Sequence, residues 1–71
     1  MIYPPIDSHV DIHLTNGTLV RGIITRLNDD VVFLGHKPAI HSVQGVQKFE
    51  YVTIDRNHVV AVGVRVETDS D

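Results

Sequence analysis

A chain of 71 residues with no cysteine holds one small domain, which excludes a second core, disulfides and thiolate metal sites. Apolar residues make up 42%, too many for a disordered chain, and no apolar run approaches the roughly 20 residues a membrane helix needs. The formal charge is −3, and no basic block is present of the kind that grips DNA or anionic membranes without specificity.

Residues 1–9, Met-Ile-Tyr-Pro-Pro-Ile-Asp-Ser-His, read as an irregular lead-in. It has room for at most one helical turn, begun by Pro5 and ended by Asp7 or Ser8. It shows neither the basic nor the apolar region of a signal peptide, so a cytoplasmic location is expected. Val10, Ile12 and Leu14 alternate with Asp11 and His13, which predicts a half-buried strand over 10–14. Asn16-Gly17 follows, a strong hairpin signal between two apolar runs. Residues 18–28 read as a long second strand, and Gly22 in its middle marks a bend, a bulge or a close backbone approach.

Asn28-Asp29-Asp30 predicts a turn, because these side chains bond their own backbone. Residues 31–34 are a short apolar third strand. Gly35, Pro38 and Gly45 predict a loop over 35–48. Residues 49–54 form a fourth strand, 55–58 a tight polar turn, and 59–66 a Val-rich fifth strand. Phe33 and Phe49 are expected in the core, Tyr51 across an interface, and Tyr3 over one end of the domain. Glu67, Asp69 and Asp71 concentrate charge in an acidic tail, 67–71, expected to be disordered; the domain itself, 1–66, is neutral.

Five strands joined by short turns make an antiparallel sheet, and a central glycine bend suggests a small, strongly bent, partly open barrel. A domain this small buries only roughly 60% of its unfolded surface and often needs a staple. With no disulfide available, self-association remains. Residues 59–64, Val-Val-Ala-Val-Gly-Val, carry no charge or proline to guard an exposed edge. Head-to-tail pairing of such edges closes into a ring when the rotation permits.

These features resemble the Sm/LSm superfamily, which includes bacterial Hfq. The likeness runs from about Val10 to Val64: alternating Val10, Ile12 and Leu14, then Gly17, then Gly22 and Ile24, then a terminal hairpin bracketed by Ile54 and Val59. It implies an all-β, strongly bent five-stranded antiparallel barrel, open and SH3-like. It implies homo-oligomeric rings of five to seven subunits in which the fourth strand pairs with the fifth of the next copy. The ring interface would then hold Phe49, Tyr51, Val52, Ile54, Val60, Val62 and Val64. It further implies single-stranded RNA as partner, bound near the pore.

At the implied pockets the chain departs from the family. Asn28 stands where an aspartate is usual, Asp30 where a side chain usually stacks, Asp55 for the usual arginine and Arg56 for the usual glycine. The RNA-contacting candidates are therefore Asn28, Arg56, Asn57 and His58, since arginine stacks on bases or pairs with phosphate and asparagine bonds base edges. The plainer alternative is that Asn28, Asp29 and Asp30 only build a turn and Arg56 pairs with Asp55 or solvent. A second function is then a protein-interaction ring scaffold without a working nucleotide pocket, and a third is a monomeric SH3-like barrel. No metal or cofactor is expected: His9 and His13 are about 13 Å apart on a strand, too far to share an ion. No nucleophile elbow or phosphate loop is present, so no enzyme is expected.

Overall fold

The computed structural model describes residues 1–66; the tail expected to be disordered, 67–71, lies outside the described residues. Alternation and the Asn-Gly turn organise the first hairpin. Strand β1 (His9–Leu14) pairs antiparallel with β2 (Leu19–Leu27), in register from His13 opposite Leu19 to His9 opposite Ile23. In the turn, Asn16 Oδ1 accepts from the Thr18 N–H at 3.0 Å and Gly17 takes the left-handed φ of 87° that a side chain disfavours.

Strand β3 (Val31–Ser42) returns along the other edge of β2, and β4 (Gly45–Lys48) folds back on its second half. Strand β5 (Val52–Asp55) pairs with the first half of β3. A 3-10 turn, Arg56–His58, leads into β6 (Val59–Val64), which pairs with β1. The result is an all-β antiparallel sheet of six strands in the order β4-β3-β2-β1-β6, with β5 on β3. Among the described residues there is no α-helix, and no helix long and apolar enough to cross a membrane. The lead-in holds only a turn, closed by Ser8 N–H donating to the Pro5 carbonyl at 3.2 Å.

Three expectations about the strands need correction. The count is six strands rather than five. The expected loop over 35–48 is strand: β3 runs through Gly35 and Pro38 to Ser42, and β4 follows after a tight turn. The expected strand over 49–54 begins only at Val52 and reaches Asp55, so Phe49 and Tyr51 lie in the break between β4 and β5. Since β2 holds one edge of β3 throughout, β4 and β5 share the other edge, as two pieces of one interrupted strand.

A bulge explains how β3 passes its proline. Arg21 pairs with Ala39 and Ile23 with Gly35, so Gly22 alone faces His36, Lys37 and Pro38. His36 and Lys37 take left-handed φ values of 62° and 59° to accommodate the surplus. A Cβ on Gly22 would sit 2.9 Å from Pro38 Cβ and 3.3 Å from Leu34 Cβ, so glycine is required by close approach. The Pro38 carbonyl accepts from Phe49 N–H at 2.9 Å, and Lys37 Nζ meets Glu50 Oε2 at 2.7 Å, which ties the break to the bulge.

The core consists of Val10 and Ile12 from β1, Val20 and Ile24 from β2, Val32 and Leu34 from β3, and Ile54 from β5. Each such side chain stabilises by about 1.5–3 kcal/mol on burial. The aromatics expected there are elsewhere. Phe33, between inward-facing Val32 and Leu34, points outward beneath the Arg26 guanidinium at 5.2 Å, and Phe49 is 38% exposed at the strand break. Tyr3 packs against the core from the lead-in.

On the opposite face of the sheet, Asp11 accepts from Arg21 Nε at 2.7 Å and Nη2 at 3.0 Å, with Arg65 Nη1 3.6 Å away. The hydrogen bond from Arg21, and then its charge and that of Arg65, hold the Asp11 carboxyl below the usual range against an opposing effect of burial.

Candidate nucleic-acid interface

The predicted site residues fall on two adjoining turns. Between β2 and β3, Asn28 Oδ1 accepts from the N–H groups of Asp30 and Val31, both at 2.8 Å, which fixes the turn and commits that oxygen to backbone. Between β5 and β6, Asp55 caps the 3-10 turn: its Oδ1 accepts from Asn57 N–H at 2.9 Å. The two turns are joined directly, Arg56 N–H donating to the Asp30 carbonyl at 2.9 Å. On its other side the 3-10 turn is held by Thr15 N–H donating to the His58 carbonyl at 2.8 Å.

Arg56 is half-buried and engaged twice. Its Nη1 donates to the Asn28 carbonyl, and its guanidinium carbon lies 4.4 Å from the centre of the Tyr3 ring. Asn28 and Arg56 are thus brought together through the Asn28 backbone. Asn57 is exposed beside them. His58 is exposed on the far side of the turn, with Nε2 3.9 Å from Asp55 Oδ2, too long for a hydrogen bond. The four candidates therefore spread over two turns, Asn28 in contact with Arg56 and both Asn57 and His58 exposed, rather than forming a single cluster.

The His58 side opens on a groove of about 580 Å³. Its floor is Leu14, Val20 and Ile40; Asn16, Asp55 and His58 stand among its polar lining. The groove exists because β5 is four residues long and pairs only with the first half of β3, leaving the inner face around Ile40 partly open. Charge near Arg56 is unfavourable to phosphate, since Asp29, Asp30 and Asp55 lie on the same two turns.

The residues expected at a ring interface are distributed unevenly. Tyr51 is 71% exposed, and Val60 and Val64 are each 58% exposed. Val52 and Val62 are half-buried against the core. Ile54 is 5% exposed and belongs to the chain's own core, so its side chain is not available to a second copy. Among the described residues β6 pairs only with β1, and β4 and β5 only with β3, so each leaves one edge of backbone groups unpaired.

Sequence reasoning did not anticipate Tyr3 as the partner of Arg56, a contact spanning most of the chain with no local signal. It also did not anticipate Asn16 and Asp55 in a groove, although the Asp55 cap is legible as an aspartate opening a polar turn. Among the described residues no three His, Asp or Glu side chains come together as metal ligands would. No protein-family model matches this chain, and no curated protein is significantly similar to it.

Proposed function

We propose that this chain is an Sm-like barrel that assembles edge to edge into a homo-oligomeric ring of five to seven copies and binds single-stranded RNA near the pore, as a cytoplasmic binding module rather than an enzyme. One observation carries it: the unpaired edges of β5 and β6 flank the turn that bears Arg56. Unguarded edges rich in valine seek partners, and β6 presents Val60 and Val64 with no charge or proline among its six residues. Pairing β5 of one copy with β6 of the next would cover both edges and set one Arg56 turn beside each junction. Every contact would then repeat around the ring, so that a weak arginine contact per subunit becomes multivalent. Arginine fits this role because its planar cation both stacks on bases and pairs with phosphate.

The test is binding of a fluorescent oligouridine by the wild type and by Arg56→Ala, with native mass measured for both. Weaker binding at unchanged oligomeric mass supports the assignment; unchanged affinity removes Arg56 from the site.

A protein-interaction ring without a nucleotide pocket is the second reading. It is favoured by the commitment of Asn28 Oδ1 to its own turn and by the three carboxylates around Arg56. It expects no oligouridine binding even at low salt, where phosphate contacts are strongest.

A further inference from the structure

We propose, resting on the assignment of Arg56 to RNA, that residues 1–5 form a strap in which Tyr3 occupies the stacking face of Arg56 and must lift before a nucleobase takes its place. The Tyr3 ring lies 4.4 Å from the guanidinium carbon, the geometry a base stacked on arginine would adopt. A phenol ring is close in size to a pyrimidine, so the protein's own side chain stands in for the ligand.

The strap is built to move. Among the described residues, no backbone hydrogen bond holds residues 1–4, and Pro4 and Pro5 have no N–H to offer one. Met1 and Ile2 are exposed. Firm anchoring starts only at Asp7, whose N–H donates to the Ile24 carbonyl at 2.7 Å, and at Ser8, whose carbonyl accepts from Ile24 N–H at 3.0 Å. The anchor itself begins in a turn, where Asp7 has a left-handed φ of 77° that aspartate tolerates. Lifting the strap therefore breaks one cation–π contact and the packing of two half-buried residues, Tyr3 and Pro4, and leaves the sheet intact. The Nη1 bond to the Asn28 carbonyl does not depend on Tyr3, so Arg56 stays in place when the strap opens.

The experiment measures oligouridine affinity at low salt for the wild type, Tyr3→Ala, Tyr3→Leu, Arg56→Ala and Tyr3→Ala/Arg56→Ala, with thermal melts of each. Tyr3→Leu retains an apolar side chain against the core, so it separates the strap from a folding defect. Both Tyr3 single variants should bind about two- to fivefold tighter than the wild type, the equilibrium weight of an exposed cation–π contact. The gain should vanish in the double variant. If the Tyr3 variants bind equally or more weakly while Arg56→Ala alone still loses affinity, the strap is refuted and the RNA assignment stands. Absence of binding by every folded variant refutes both.

Discussion

Gly22→Ala tests the close approach that lets β3 pass its bulge and keep its unexpected length. The added Cβ would lie 2.9 Å from Pro38 Cβ and 3.3 Å from Leu34 Cβ. Neither atom is the free end of a flexible side chain: one belongs to a ring and both sit beside backbone, in residues that are fully buried. Relief requires β2 and β3 to separate at their crossing, an overpacking cost of about 1–3 kcal/mol. Alanine recovers about 0.4–1 kcal/mol by restricting the unfolded chain. The net loss is then roughly 0–2.6 kcal/mol, centred on about 1.3 kcal/mol, which is about 5–10 °C in Tm for a domain of this size. Gly63→Ala supplies the control, because a Cβ there meets nothing within 4 Å. It should be neutral or stabilising by up to about 1 kcal/mol. Urea and thermal unfolding at one fixed protein concentration would measure both, since assembly makes Tm depend on concentration. A Gly22→Ala protein as stable as Gly63→Ala would refute the close approach, and with it the explanation of the bulge.

Other outcomes follow from the same contacts. The Asp11 carboxyl is held below its ordinary value of 3.8, so its contribution is complete above that pH and is lost as pH falls through the lowered value. Wild type should exceed Asp11→Asn by about 0.5–1 kcal/mol across pH 5–7, a partly exposed pair, and the gap should close below about pH 3.8; urea midpoints against pH would check this. Ile24→Ala removes fully buried side chain and should cost about 2–4 kcal/mol in urea unfolding, a large part of such a domain's total stability. Lys37→Ala breaks an ion pair whose side chains are both mostly exposed and should change stability by less than about 1 kcal/mol in the same assay. Val60→Lys places charge on the unpaired edge of β6 and should lower the native mass without unfolding the single chain.

Much of the sheet was legible because its signals are local. Alternation at Val10, Ile12 and Leu14 placed β1 within one residue, the Asn-Gly turn joined it to β2, and the polar run 55–58 marked a tight turn, which the structure makes a 3-10 turn capped by Asp55. The long β3 was hidden because Gly35 and Pro38 read as loop residues, while the structure accommodates them by placing a bulge opposite Gly22. That partner lies in another strand, and no window of sequence around Pro38 reports it. The core aromatics were misplaced for a related reason: Phe33 is apolar, but register sends Val32 and Leu34 inward and leaves Phe33 facing Arg26. At the candidate site, residue types pointed to Arg56 and Asn28 and the fold brings those two together. What the types could not convey was that Asn28 Oδ1 is already committed and that Tyr3, more than fifty positions away, lies on Arg56.

The central claim is a ring with RNA at its Arg56 turns, and native mass spectrometry of the purified protein with and without a short oligouridine tests it most directly. A single mass of five to seven copies that gains one RNA is the expected result. A ring that gains no RNA at low salt would contradict the nucleotide site and leave the scaffold, and a monomer in both samples would contradict the edge pairing from which the ring is inferred.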